Sequence, residues 1–534
     1  MSMKDRSDRR QRQTYETEPL RDSVAIIGVG GIFPKAHNAK AFWKNVLNRV
    51  DCISEVPIDR WDPSIFYDPD HSAPDKSYSK VGGFVTHFIF DPLRFRIPPN
   101  VSKNLEPVQQ RILVATQEAL EDAGFDKKHS DHSRTAVVFG TGGPGEKSHD
   151  GNRRVWFNEQ ASILRQTDEF RSLPTETQQA IIDGYERKYK SRLAPITEDS
   201  MPGELGNIVA GRVSNIFDFG GTNLTVDAAC ASSHASFDVA IKGLTTLQYD
   251  TVLTGGASMT MDPTWYVKFS KIGALSASGK SRPFDDKADG FVMGEGVCVM
   301  VLKRLVDAIR EHDKIYAVVR AVGSSSDGKG KGITAPKPAG QVLAIKRAMD
   351  AARLSPRHIQ LIEAHATSTP TGDVAEMSAY ALAFAGQVLP PKSIAVGSVK
   401  SQIGHLQTAA GAAGILKAAL ALYHKVLPPT INLETLNSQI PWDKLPFYVN
   451  TETEPWPDTP NGEPRRAGVS AFGFGGINFH IILEEYVHDY HDRLLDEESR
   501  LTPRSSPSSQ LLHLNCLQSL LPDKRKSSWY PQIH

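Results

Sequence analysis

Short, near-continuous apolar runs separated by stretches of helical periodicity constrain this chain more than anything else in it. Arg134 to Phe139, Thr251 to Leu253, Val297 to Leu302, Ile315 to Val322, Leu361 to Glu363 and Ile394 to Gly397 are runs of this kind. Such runs read as strands buried on both faces, which need helices above and below them. The stretches between them supply the helices. Ile112, Ala115, Ala119, Leu120 and Ala123 form a buried stripe after Glu106-Pro107, where Pro suits a first helical turn and Gly124 a stop. Gly340 to Ala352 reads as another helix, and Thr408 to Leu422 as a helix of very small residues. The alternation predicts an α/β chain with layered, mostly parallel sheet. No internal repeat is visible. Ser23 to Gly28 reads as the first strand, Phe42 to Leu47 as a short helix, and Pro57 to Asp91 as a long surface loop. Glu146 to Ser200 is charged, helix-favouring and poor in large apolar residues, the pattern of a surface excursion.

A chain of 534 residues exceeds what one small core needs and suggests two or more large units. Lys plus Arg and Asp plus Glu both number 61, so charge gives no reason to expect a nucleic-acid partner. The four cysteines, Cys52, Cys230, Cys298 and Cys516, form no Cys-x-x-Cys pair. That argues against zinc or a disulfide framework and fits a reducing compartment. Residues 1–22 are polar, lack a signal peptide's apolar centre and are expected to be disordered. Thr408 to Leu422 contains Lys417 and several glycines, so no membrane span is expected. The expectation is a cytoplasmic protein. After about Val487 the core pattern is lost, and 487–534 reads as a flexible tail with a short amphipathic stretch from Gln510 to Leu521. His488-Asp489-Tyr490-His491 has metal-like spacing but no further ligands, and no metal is expected.

The chemistry concentrates at strand ends. Leu224 to Val226 ends an apparent buried strand, and Phe237, Ala240, Ile241 and Leu244 follow at helical spacing. Cys230 therefore sits where a strand turns sharply into a helix, among the small residues Ala228, Ala229 and Ala231. Free amides and the positive end of a helix dipole gather there and favour thiolate over thiol. His365 directly follows the strand Leu361-Ile362-Glu363, and Lys400 to His405 follow the strand Ile394 to Gly397. Open α/β sheets place ligands beyond strand ends. A thiolate with imidazoles nearby is a nucleophilic arrangement. Gly473-Phe474-Gly475-Gly476 lets backbone amides approach a ligand closely. Two other glycine runs read as plain turns. Gly28-Val29-Gly30-Gly31 breaks the dinucleotide fingerprint at Phe33, and Gly140 to Gly145 lacks a P-loop's Gly-Lys-Ser/Thr ending.

From about Ser23 to Glu485 the chain resembles the beta-ketoacyl synthase family, the condensing domains of polyketide and fatty-acid synthases. The residues that carry this are Ala228-Ala229-Cys230-Ala231-Ser232-Ser233, Glu363-Ala364-His365, Lys400-Ser401-Gln402-Ile403-Gly404-His405 and Gly473-Phe474-Gly475-Gly476. Arg282-Pro283-Phe284-Asp285, Gly294-Glu295-Gly296 and Gln109-Gln110-Arg111 add to them in order and spacing. The excursion before Cys230 is similar to that of the larger polyketide and polyunsaturated-fatty-acid condensing domains. The resemblance implies a thiolase-like αβαβα sandwich of two similar halves, 23–306 with the nucleophile and 307–486 with the histidine pair, usually a homodimer. It implies no bound cofactor. Acyl and malonyl thioesters would arrive on the phosphopantetheine arm of an acyl carrier protein acting in trans, as for a 3-oxoacyl-[acyl-carrier-protein] synthase. Cys230 would take the acyl group, and His365 and His405 would stabilise the enolate formed on decarboxylation. Lys400 would set the electrostatics, with Glu376 as its ion-pair partner. The N–H groups of Cys230 and Phe474 would form an oxyanion hole, with Gly475 and Gly476 supporting Phe474 as the gate of the acyl pocket.

The chain departs from the family pattern at four places. Ala366 stands for a usual Gly, which would shift the loop after His365. His234 stands for an aliphatic residue and would change the acyl pocket. Glu106 replaces Asp, and Phe479 is bulkier than usual before His480. Two other classes stay open on sequence. A non-elongating member of a heterodimer would lack the cysteine, and a coenzyme A thiolase would carry a second cysteine in the loop of Phe474.

Overall fold

The computed structural model describes residues 20, 22–125, 132–143, 145–329, 332–333 and 335–501. Its strands are β1 (Val24–Ile32), β2 (Thr135–Gly140), β3 (Asn223–Val226), β4 (Thr251–Ser258), β5 (Gly296–Arg304), β6 (Ala317–Ser326), β7 (Leu361–Glu363), β8 (Ile394–Gly397), β9 (Phe447–Val449), β10 (Arg466–Gly473) and β11 (Ile477–Glu484). They join in one eleven-stranded sheet of order β9-β8-β7-β10-β11-β6-β1-β5-β4-β2-β3. Counting from β1, the first half reads first, fifth, fourth, second, third. Counting from β6 and setting β9 aside, the second half reads the same way, so the fold repeats a topology that the sequence hides. The halves join where β1 runs antiparallel to β6, Val24 opposite Val319.

The main helices are α1 (Pro107–Asp122), α2 (Glu146–Leu164), α3 (Thr175–Lys190), α4 (Ile208–Phe217), α5 (Ser232–Thr245), α6 (Pro338–Ala352), α7 (Gly372–Ala383), the short α8 (Lys400–Ile403), α9 (Ala410–His424) and α10 (His488–Leu501). Strict side-chain alternation sorts them into layers. On β5, Cys298, Met300 and Leu302 pack with α5 and α9. Val297, Val299 and Val301 point the other way, against α1 and α4. In the second half, Leu361, Val469 and Ile481 share the central core with α5 and α9. Ile362, Ile394 and Ile482 meet α6 and α7. The result is five layers, with α5 and α9 in the middle. Every residue from Ala410 to Leu422 is buried, which is why this stretch is built from small side chains.

Three expectations are corrected. The sheet is mixed: β2–β3, β2–β4, β7–β8, β7–β10 and β8–β9 pair in parallel, while β1–β5, β1–β6, β4–β5, β6–β11 and β10–β11 are antiparallel. Apolar runs report burial on two faces and carry no direction. The stretch from Pro57 to Asp91 is not merely surface, because Trp61, Tyr78 and Phe84 pack with Tyr266, Phe291 and Met293 in a small core. The tail begins later than residue 487. His491 is fully buried, and Leu494 packs on the outer core. Residues 502–534, with Leu511 to Leu517, lie outside the described residues, as do residues 1–19. The excursion 146–200 folds as α2 and α3 around Phe157, Phe170 and Ile182.

Beside the packing of Leu494, one buried carboxylate ties α10 to the sheet. Glu484 receives Arg320 at 2.7 Å, the Nε of Arg466 at 2.5 Å and the His491 Nε2 at 3.0 Å. The two guanidiniums hold its carboxyl well below the usual carboxylate range against the push of burial. His491→Ala removes one of these partners and should lower stability by about 1–3 kcal/mol. Thermal denaturation measures this, and an unchanged melting temperature would mean that the His491–Glu484 contact contributes nothing to stability.

Candidate active site

The turn between β3 and α5 is cross-tied by its own side chains. Asp227 accepts the Ala229 N–H at 2.9 Å, while Ser232 Oγ accepts from Ala228 N–H at 2.8 Å and donates to the Ala229 carbonyl at 2.6 Å. Ala229 takes φ +50°, the left-handed conformation that the sharp turn requires. α5 can lie this close to β2 because Gly140 has no side chain; a Cβ there would sit 2.4 Å from the Ser232 carbonyl carbon. The strand itself differs from expectation. β3 is an edge strand, with Asn223 exposed and Leu224 to Val226 only half-buried.

The second half brings the partners to Cys230. Gly473 packs on the turn so closely that a Cβ would lie 2.4 Å from the Ala228 carbonyl. This approach brings the Phe474 amide beside the sulfur, where it and the Cys230 amide pull the thiol pKa down. Gly475 and Gly476 take φ +95° and +76°. Phe474 lines the cavity and is 41% exposed, with its ring 6.3 Å from that of Phe269. His405 Nε2 stands 3.1 Å from Cys230 Sγ. Its Nδ1 accepts the Gln407 N–H at 3.2 Å, so in the neutral ring the proton sits on Nε2, which donates to sulfur. His365 lies edge-on to His405, with ring centres 5.6 Å apart. Phe291 from the small core abuts His405 at 5.2 Å.

The electrostatics and contacts of the site correct two expectations. Burial pushes the Cys230 thiol up to about 11, against the opposing pull of Lys400 and of the Phe474 and Cys230 amides. The resting group is a thiol, and the helix-terminus field moderates the desolvation without overcoming it. Burial, reinforced by Lys400, holds both His365 and His405 well below the usual histidine range, so both are neutral. Lys400 is itself lowered by burial and held up by Glu363, Glu376, Cys230 and Asp373. The expected Lys400–Glu376 contact pair is not formed. The Glu376 carboxylate instead takes the N–H groups of His365 at 2.9 Å and Ala366 at 2.7 Å and pins their loop. That loop tolerates Ala366 at φ +23°.

The other departures do not line the cavity that holds Cys230. His234, on the first turn of α5, is fully buried, with Nε2 3.2 Å from the Val469 carbonyl and Nδ1 against Gly411 of α9. Phe479 packs with Ala231, Ala235 and Ala471. Glu106 receives the Ser148 N–H at 3.0 Å near the start of α2, and burial pushes its carboxyl up to about 7. It borders a second cavity of about 230 Å³. Cys298 faces the Ala412 carbonyl in the core, and Cys52 is buried too. Sequence reasoning used Lys417 only as a charge within an apolar run and missed its partner: Nζ lies 2.8 Å from Glu363 Oε2. A lone lysine inside a run of buried small residues was the available signal. Among the described residues, no group of three or more His, Cys, Asp or Glu is placed to hold a metal ion, and no helix is long and apolar enough to cross a membrane.

The cavity over Cys230 measures about 480 Å³. Trp265, Phe269 and Ile272 line one part of it, and Thr367, Thr369 and Thr371 line another. That size suits a small-molecule chain.

The beta-ketoacyl synthase N-terminal domain matches residues 21–308, its C-terminal domain 316–434, and the ketoacyl-synthetase C-terminal extension 437–520. The chain belongs to the beta-ketoacyl synthase family. It is 38% identical over 467 residues to a polyunsaturated fatty acid synthase polypeptide of Thraustochytrium, covering 86% of this chain and 16% of the relative. It is 32% identical over 509 residues to polyketide synthase PksL of Bacillus subtilis, covering 94% of this chain and 10% of the relative. The chain therefore spans a sixth or less of the length of these two relatives. Among solved structures it is similar to the oxazolomycin ketosynthase domain OzmH KS7 of Streptomyces albus, with TM-score 0.74 and 33% identity over 88% of this chain and 74% of that one. The ketosynthase from module 6 of the Bacillus subtilis bacillaene synthase aligns with TM-score 0.72 and 32% identity, over 87% and 72%. The fold is thus the thiolase-like sandwich of ketosynthases, and the class of chemistry is acyl-transferring condensation.

Alkylation of Cys230 by iodoacetamide should rise with pH beyond 8 without levelling near neutrality, because burial keeps the resting group a thiol. Peptide mass mapping after timed reaction checks this. A plateau near pH 7 would mean that the helix terminus wins over desolvation.

Proposed function

We propose that this chain forms a carbon–carbon bond by decarboxylative condensation of thioesters carried on the phosphopantetheine arm of an acyl carrier protein. Cys230 attacks the acyl thioester carbonyl, a new C–S bond forms, and the carrier thiol leaves with the thiol proton. A malonyl-type thioester then loses carbon dioxide. The enolate oxygen takes hydrogen bonds from His405 and His365. The enolate carbon attacks the acyl-Cys230 carbonyl, whose oxyanion rests on the N–H groups of Cys230 and Phe474. Collapse expels the Cys230 sulfur as a thiolate, which takes a proton from water to restore the thiol, and releases a 3-oxoacyl thioester.

One observation carries the reading. His405 Nδ1 is occupied by the Gln407 amide, so its Nε2–H is a fixed donor at the reaction centre and the neutral ring suits charge developing on oxygen. An imidazole held as a donor serves enolate stabilisation better than removal of the Cys230 proton. The free cysteines Cys52, Cys230 and Cys298 are in keeping with a reducing, cytoplasmic setting. The half-exposed edge of β3, a few residues before Cys230, is the surface on which a second copy would add its own β3 and form a homodimer.

His405→Ala should still be acylated at Cys230 by an acyl thioester, seen as added mass on that peptide. Carbon dioxide release from malonyl carrier should fall by about 10²–10³. Normal release by this variant, or acylation at Cys52 or Cys298 in the native protein, would overturn the assignment. Sedimentation at micromolar concentration should give a dimer, and a monomer would remove the proposed role of the β3 edge.

A further inference from the structure

Lys417 stands in the middle of α9, in a run whose every residue is buried, and the reaction above gives it no task. A buried cation is costly unless paired, and an alanine or leucine would fill this helix without that cost. Its partner is Glu363 at 2.8 Å, with 1% and 3% of the two side chains exposed. Glu363 closes β7, two residues before His365. Its other oxygen accepts the Val399 N–H at 2.6 Å, at the head of the turn that carries Lys400. Gly414, one turn before Lys417, makes room for this carboxylate, since a Cβ there would lie 3.2 Å from Glu363 Cγ. One carboxylate thus joins the central helix to the two strand ends that bear His365 and Lys400.

The charges around Lys400 are Glu363 from β7, Glu376 and Asp373 from α7, and Cys230 from the turn before α5; Glu363 pulls hardest. Yet Glu363 is paired with Lys417, and Lys400 forms no contact ion pair. We propose that Lys417 is a positioning residue: by neutralising Glu363 it leaves the Lys400 ammonium unpaired, so that its positive field falls on Cys230 and on the enolate oxygen. The enolate part rests on the condensing function proposed above, whereas the effect on Cys230 stands without it. The groups facing the sulfur are Lys400, Asp227, His405 and the amides of Phe474 and Cys230.

The test uses the full chain and the pH dependence of Cys230 alkylation by iodoacetamide, mapped by peptide mass. In Lys417→Met, the bare Glu363 captures Lys400. Alkylation at pH 8 should slow about tenfold, a shift of about one pH unit in the midpoint. In the double variant Glu363→Gln/Lys417→Met the pair is neutral, and the glutamine oxygen still accepts the Val399 N–H. That variant should return to within about twofold of native. Lys417→Arg keeps the charge and should also alkylate at the native rate. Native alkylation in the single variant would overturn the proposal. So would a double variant as slow as the single, or a slow arginine variant where Lys417→Met fails to fold. Melting temperatures of all variants separate loss of field from loss of fold. Carbon dioxide release from a malonyl thioester should follow the same order. If the native protein releases none, the condensing function fails, while alkylation still decides the role of Lys417.

Discussion

Burial of the reacting groups is the constraint on which the rest of this site depends. A cavity floor shielded from bulk solvent strengthens each hydrogen bond and each charge aimed at the reaction centre. It also makes a thiolate costly, which is why the Cys230 thiol is pushed up to about 11 in the resting protein. The same burial keeps His365 and His405 neutral. A neutral imidazole with one nitrogen tied to a backbone amide can only donate from the other, and here that donor points at the sulfur.

Two halves are needed to build such a floor. The first half supplies the turn with Cys230, and the second supplies His365, Lys400, His405 and Phe474. The central helices α5 and α9 lie between the two sets of strands, so small residues decide how closely the halves approach. Gly140 admits α5 to β2, Gly473 brings the Phe474 loop onto the Cys230 turn, and Gly414 admits the Glu363 carboxylate beside α9. At Gly140 and Gly473 a single added carbon would push against backbone, which moves less readily than a side chain.

The buried charges are arranged in divided roles. Glu376 and Asp373 hold backbone amides of the loop after His365, at 2.7 to 3.1 Å. Glu363 holds Val399 and Lys417. Lys400 is left with charges around it and none in contact. This division lets one ammonium act over the cavity while the carboxylates do structural work close by.

Much of this was legible in the order of residues. Apolar runs with helical spacers define a layered α/β chain, because burial on both faces is a property of each short segment by itself. The cysteine at a strand-to-helix turn, the histidines beyond strand ends and the Gly-Phe-Gly-Gly loop could be named because each is a local pattern. Strand direction, the repeated strand order and the edge position of β3 could not, since pairing joins segments tens to hundreds of residues apart. The docking of α10 was hidden for the same reason: His491 meets Glu484 only after the chain turns back. The family resemblance implied Glu376 as the ion-pair partner of Lys400 and the strand-to-helix turn suggested a thiolate at Cys230, whereas the tertiary structure forms no such contact pair and buries the thiol. Which carboxylate a lysine meets, and whether desolvation outweighs a helix terminus, depend on distances and burial that exist only once the two halves close around Cys230.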